Sequence, residues 1–523
     1  MLAQSRTALI TTPHPDATGA GLTILRAGGN AIEAALAAAA MLCVVYPHMT
    51  GLGGDACWLV AKDEGEPLGI LGIGQAAAAK PPDAEHAQRG PAAAFTTAGA
   101  VDSWGLAYQF SRESWAGRLG WPAIMAPAIA RAKDGYAVSQ SQAFWYKTHR
   151  EELSGQPGFK DTFDGPHGRC ETGCRQTQGA LAATLSELAE HGPRHFYEGP
   201  LAARLAAGLR AAGSVVTSAD LKATRALYVR PLAVSYRGGV AFNMPPPTQG
   251  VTALQILHLL NRFEIPPARG DDTRFYVLLI EAIKTALADR NRFVADPTFV
   301  PVPVHAMLHS EGPVHGHHDA GASAPEAMDP ALPGDTVWIG VRDPAGGSVS
   351  LIQSLFFDFG SGVMAGDTGV LWHNRGAAFS PTIGHPNAWA PGKRPLHTLS
   401  PGLYRKQGKV RVIYGSQGGD GQPQALAHIL TRIVDFGLDP FTALARPRIH
   451  VGPTFLDTRK GIKIETNADM TAIQDLQQFG YPIEIVSALN PGTGQAGAIT
   501  IDASGGLLLG AYDPRSDGLC LGL

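Results

Sequence analysis

One stretch divides this chain and limits how it can fold. Residues 300–334 are rich in proline, glycine and histidine and show little periodicity, and directly after Asp335 the sequence turns into strand-like alternation. An irregular segment of that length inside a compact chain is a functional loop or a disordered one, so the core has to be assembled around it. Ahead of it, residues 16–27, 31–46, 103–109, 121–132, 176–191, 201–212, 252–262 and 272–293 carry apolar residues at helical spacing. Residues 56–61 read as a buried strand after a glycine turn, while 228–236 and 239–243 alternate like strands. Behind it, TVWIGVR (336–342), a turn at 343–347 and SVSLIQSL (348–355) predict a hairpin. Further strands are expected at 369–373, 403–406, 410–415 and 497–501, and no internal repeat is visible.

Composition removes several classes of function. The formal net charge of -3 leaves no basic excess to neutralise phosphates, which argues against a nucleic-acid partner. The longest apolar stretch, 31–46, contains Glu33 and is too short to span a membrane. The N-terminus lacks a cationic start followed by an apolar run, so no signal peptide is visible and the cytoplasm is the expected compartment. The cysteines, Cys43, Cys57, Cys170, Cys174 and Cys520, are odd in number and without framework spacing, which fits a reducing environment. Cys170 and Cys174 read as free thiols or a local disulfide.

The divide ends in Gly334-Asp335-Thr336-Val337. If the bond between Asp335 and Thr336 is cut, Thr336 acquires a free α-amine beside its own hydroxyl. Such an amine, with an ordinary pKa of about 8, is partly neutral near pH 7 and can take the hydroxyl proton. In the uncut chain the same hydroxyl can attack the preceding carbonyl. Alone, the tripeptide GDT reads equally as an ordinary strand start. The histidines His305, His309, His315, His317 and His318 match no zinc spacing, so no metal and no cofactor are expected.

Nine collinear stretches supply context. They are RAGGNAIEAALAAAAML (26–42), MTGLGGDA (49–56), AGAVDSWG (98–105), MPPPTQG (244–250), ADRNRFVADP (288–297), GDTVWIGVRDPAGGSVS (334–350), FGSGVMAGDTGVLWHNRGAAFS (359–380), NAWAPGKRPLHTLSP (387–401) and YGSQGGDGQPQ (414–424). Through them the chain resembles the γ-glutamyltranspeptidase family of N-terminal-nucleophile hydrolases over nearly its whole length. The resemblance implies an αββα fold with two stacked, mainly antiparallel sheets covered by helices. It implies a large subunit, 1–335, with a mobile end over about 300–335, and a small subunit, 336–523, the two remaining packed as a heterodimer. Thr336 aligns with the nucleophile, and Ser354 with a second hydroxyl that assists it. Gly418 and Gly419 align with the pair whose N–H groups form the oxyanion hole.

The departures bear on the substrate. Transpeptidases of this family hold the glutamyl α-carboxylate with an arginine in the first third and with paired serines. Here Gly74 or Gln75 stands at the arginine's place, and His397-Thr398 replace the serines. Ala377-Ala378 occupy the place of the acidic pair that meets the α-amine, and Phe356 replaces an asparagine. FDFGSG and AGDTGVLWHNRG resemble instead the cephalosporin-acylase and oxamate-amidohydrolase branches. Arg375 is then a candidate for a carboxylate and equally for a surface arginine or a structural ion pair, and His397 for a polar contact or proton transfer and at least equally for core packing or surface exposure. The expectation is a self-processing hydrolase of a small carboxylate-bearing acyl amide. The alternatives are a true γ-glutamyltransferase acting on glutathione and a non-catalytic binding protein on the same fold.

Overall fold

The hairpin expected after Asp335 forms, as strands Asp335–Arg342 and Ser348–Phe356, and both are buried along their whole length. A strand buried on both faces must lie in a layered interior, and this pair is central in one of two seven-stranded sheets. The computed structural model describes residues 1–82, 84, 87–165, 169–265, 272–309, 334–503 and 506–523. Most of the segment expected to be mobile, with His315, His317 and His318, lies outside the described residues.

The first sheet runs Leu519–Gly522, Leu9–Thr12, Asp335–Arg342, Ser348–Phe356, Asp55–Ala61, Leu68–Gly72 and Leu227–Val229. The second runs Ala3–Ser5, Leu508–Tyr512, Ala496–Ile501, Lys409–Ser416, Gly402–Lys406, Gly239–Asn243 and Leu232–Tyr236. Neighbouring strands are antiparallel throughout both. The division into helices first and sheet last was therefore too simple, because each sheet mixes strands from both sides of residue 335.

Three apolar clusters define the layers. One packs helices such as Pro15–Arg26, Ala31–Val45 and Trp121–Asp134 on the first sheet. Another packs Gly250–Asn261, Thr273–Phe293 and Gln422–Val434 on the second. The third, including Cys57, Leu59, Trp338, Ile352, Leu403, Ile413 and Ile499, lies between the sheets. Helix Ala31–Val45 is buried on every side, as its alanine-rich sequence requires, and Asn30 and Glu33 close its first turn as a capping box.

Trp338 locks the nucleophile strand to the opposite sheet. A Cβ on Gly415 or Gly497 would lie 2.0 or 2.3 Å from its indole, so only glycine allows the sheets to close there. The indole Nε1 donates to Ser350 Oγ at 2.8 Å, and that hydroxyl donates across to Tyr414 O at 3.1 Å.

Two expected strands differ. Residues 369–373 form a loop with isolated bridges, Met364 to Leu371 and Gly53 to Trp372. Gly369 there takes a left-handed φ of 70°, and Trp372 spends its polar groups on loop partners at Thr96 and Ser361. The strand expected over 228–236 breaks into two that belong to different sheets, because Pro231 has no N–H for a ladder.

Candidate active site

A bulge interrupts the hairpin at its open end. Asp335 pairs with Phe356 and Val337 with Gln353, so Ser354 and Leu355 together oppose Thr336. Bulges re-aim side chains, and this one brings two hydroxyls together. Thr336 Oγ1 donates to Ser354 Oγ at 3.3 Å. Ser354 Oγ donates to the carbonyl of Asp335 at 2.5 Å and accepts from Phe356 N at 2.8 Å. Gln422 Nε2 donates to Thr336 Oγ1 at 3.5 Å. Both hydroxyls are buried, so Ser354 faces the interior and not solvent. Phe356 ends the bulge with φ of 80°, a region that costs a non-glycine residue about 1–3 kcal/mol and collects at functional sites.

Gly418 and Gly419 lie against the chain just ahead of Thr336. A Cβ on Gly334 would come within 2.6 Å of Gly419 Cα. Gly418 has φ of 122° and Gly419 of 50°. Their carbonyls accept from Gly421 N and Gln249 Nε2, while their own N–H groups have no acceptor among the described residues.

Arg375 is held fully inside, on a short turn Arg375–Ala378. Its guanidinium lies 3.7 Å from the centre of the Phe356 ring, and Nη1 donates to Thr398 Oγ1 at 3.4 Å. Nε and Nη2 have no partner among the described residues. Burial pushes this group down to about 10, with Asp55 and Asp420 opposing. Phe356, Phe357 and Ala378, with Ala377 packed against them, form a small apolar cluster, and its Phe356 ring faces the guanidinium. The structure therefore brings Arg375, Phe356 and Thr398 together, and Arg375 makes no ion pair among the described residues.

His397 is in the core. Its Nε2 donates to Asp55 Oδ2 at 3.0 Å and its Nδ1 accepts from Leu399 N. Burial first, then the charge of Arg375, lowers it to about 4, against the pull of Asp55. With Nε2 donating and Nδ1 accepting, it is bonded as a neutral imidazole. Asp55 Oδ1 accepts from Gly74 N and Gly99 N at 2.9 Å each, and His373 Nδ1 stands 3.3 Å from Oδ2. Burial alone would push Asp55 up; the two histidines hold it well below the carboxylate range.

Sequence reasoning did not assign Asp55, Gln422 or Gln249. The signal for Asp55 was an acid at the head of an apolar strand, in GGDACWLV, where a lone buried charge needs partners. Asp358 and Asp420 are near the site and committed. Asp358 pairs with Arg89 at 2.7 Å and His149 at 2.8 Å, and Asp420 with Arg290 at 3.2 Å. The Asp335 carboxyl is buried and pushed well above its ordinary value by burial and then by Asp358. The five cysteines are free. His305 and His309 stack on each other, and no group of three metal-ligating side chains occurs among the described residues. No helix among them is long and apolar enough to cross a membrane.

Two facing antiparallel sheets between helical layers, with a hydroxyl at the bulged end of a central strand, are the layered α/β fold of the N-terminal-nucleophile hydrolases. More narrowly, the chain belongs to the gamma-glutamyltranspeptidase family, which it matches over residues 17–523, and it is an enzyme of that family. It is 41% identical over 517 residues to the oxamate amidohydrolase proenzyme of Klebsiella pneumoniae, covering 98% of this chain and 97% of that protein. It is 37% identical over 521 residues to the glutathione hydrolase-like YwrD proenzyme of Bacillus subtilis, covering 98% of each. Among solved structures, cephalosporin acylase from Bacillus halodurans superposes with a TM-score of 0.87 at 31% identity, covering 99% of this chain and 96% of that one.

Proposed function

We propose that the chain cuts itself between Asp335 and Thr336, and that the processed enzyme hydrolyses a carboxylate-bearing acyl amide through an ester on Thr336. The observation that carries this reading is the hydrogen-bond chain from Thr336 Oγ1 through Ser354 Oγ to the Asp335 carbonyl. As Thr336 Oγ1 attacks that carbonyl carbon, its proton passes to Ser354, and the Ser354 proton passes to the carbonyl oxygen. The C–N bond then breaks with a proton returned to nitrogen, leaving an ester, and water hydrolyses the ester to free Asp335 and the α-amine of Thr336. The fragments 1–335 and 336–523 stay together because each sheet contains strands from both.

In turnover the new α-amine takes the hydroxyl proton and Thr336 Oγ1 attacks the substrate amide. Gly418 and Gly419 offer their free N–H groups to the developing oxyanion. Arg375 takes the acyl carboxylate on Nε and Nη2, and Phe356 and Phe357 line the acyl chain. Oxamyl and glutaryl amides fit this description, and water is the acceptor.

The test has two parts. Purified protein should run as two fragments with Thr336 first in the smaller, and Thr336→Ala should run as one inactive band. A small fragment beginning at another residue overturns the assignment. The processed enzyme is then assayed on oxamate, succinyl and glutaryl amides, glutamine and glutathione.

A further inference from the structure

The motif MPPPTQG contributes one residue whose bonds join two halves of the site. Gln249 is fully buried. Its Nε2 spends both hydrogens, one on Gly419 O at 2.8 Å and one on Thr398 O at 3.0 Å. Its Oε1 accepts from Arg290 Nη1 at 3.0 Å, which fixes which end of the amide donates. Its backbone N–H donates to His397 O at 2.9 Å. Arg290 in turn pairs with Asp420, the residue after Gly419.

One side chain thus pins the oxyanion turn on one side and the loop that presents Thr398 to Arg375 on the other. The geometry points to Gln249 as a positioning residue that couples grip on the acyl carboxylate to the setting of the oxyanion turn. It touches no reacting atom. Its two donors hold Gly419 and Thr398 at a fixed separation, so an acyl group held by Arg375 places its carbonyl under the Gly418 and Gly419 amides. This inference rests on the substrate reading above.

The test uses Gln249→Glu in the processed enzyme. Glutamate keeps the shape and strengthens the contact with Arg290, but it cannot donate to either carbonyl. Kinetics are measured on a glutaryl amide and on the matching uncharged butyryl amide, for wild type, Gln249→Glu, Arg375→Met and the double variant. In Gln249→Glu, kcat should fall at least about ten-fold on both substrates, and KM should rise on the glutaryl amide alone. The double variant should lose about ten-fold less than the product of the single losses, because the two residues act on one placement. Wild-type kinetics in Gln249→Glu, or losses that simply multiply, overturn the coupling. If Arg375→Met alone leaves the preference for the glutaryl amide intact, it is the substrate reading that fails. Should Gln249→Glu not fold or process, Arg290→Gln, which frees the Gln249 amide to turn, is judged by the same rule.

Discussion

Replacing Arg375 with methionine should make the enzyme more stable and less able to use its substrate. The site carries a buried guanidinium whose Nε and Nη2 have no partner among the described residues. Each unsatisfied buried donor costs about 1–3 kcal/mol, so the pair costs about 2–6 kcal/mol. Against this stand the contact with Phe356, worth about 0.5–2 kcal/mol, and a long hydrogen bond to Thr398. Methionine fills similar space and leaves no donor, so the net gain is about 0–5 kcal/mol. With an unfolding entropy near 2.1 cal/mol/K per residue, that raises the midpoint of a chain of this size by up to about 5 °C. Activity should move the other way. Loss of one partner of a buried charged pair costs about 2–5 kcal/mol, or roughly thirty-fold to several thousand-fold in kcat/KM on a carboxylated amide. Thermal melts with and without glutarate, beside kinetics on glutaryl and butyryl amides, read both effects. Glutarate should stabilise the wild type only. A variant that melts lower, still gains from glutarate and keeps its preference would show that Arg375 is a structural residue.

Two further outcomes follow from the same geometry. Ser354→Ala should slow self-cleavage and turnover together, because one hydroxyl serves both the Asp335 carbonyl and Thr336; a gel time course and kcat measure this, and normal rates in both would remove Ser354 from the site. Stability should fall as pH drops from about 6.5 towards 4. His397 and His450 are each lowered to about 4 in the fold, so over that window the unfolded chain binds protons that the folded one refuses, while above it these groups contribute no slope. A melting temperature that is flat or rising with acid across that range contradicts their burial as neutral rings.

What was legible in the sequence follows from how local each signal is. Helices Pro15–Arg26 and Ala31–Val45 and the hairpin after Asp335 announce themselves by periodicity, since their buried faces are set by their own residues. The short strands Leu9–Thr12 and Leu519–Gly522 do not, because each is a strand only by lying beside a partner hundreds of residues away. The same distinction divides the site. Thr336, Ser354 and the glycine pair carried motif signals. The cluster of Asp55, His373 and His397 joins three distant segments, and no local pattern reports such a meeting. For His397 the sequence leaves a polar contact, proton transfer, core packing and surface exposure open, and the structure places it in the core against Asp55. The bulge that aligns Thr336 with Ser354 is likewise a property of pairing and not of either strand alone.

The pairing of charges around Arg375 also discriminates between the two substrate classes. A γ-glutamyl group is a glutaryl group with an added α-ammonium, and a buried ammonium needs an anion or acceptors. Asp55 is saturated by two backbone amides and His397, with His373 beside it. Asp358 is taken by Arg89 and His149, and Asp420 by Arg290. Ala377, Ala378 and Phe356 bring no side-chain acceptor to the wall of the site. Asp335 Oδ1 and Gln417 Oε1 are buried without a partner among the described residues, but burial drives the Asp335 carboxyl towards its neutral form and the Gln417 amide carries no charge. An incoming ammonium must therefore break one of those pairs, which strands a buried arginine or histidine, or rest on a neutral acceptor. Either route costs several kcal/mol, whereas the glutaryl carboxylate meets a buried guanidinium whose Nε and Nη2 have no partner among the described residues. The glutaryl amide should accordingly exceed the γ-glutamyl amide in kcat/KM by at least about thirty-fold, measured on anilides that share one leaving group. Equal rates on the two anilides would mean that the substrate amine finds its anion there, from one of the three paired aspartates or from Asp335.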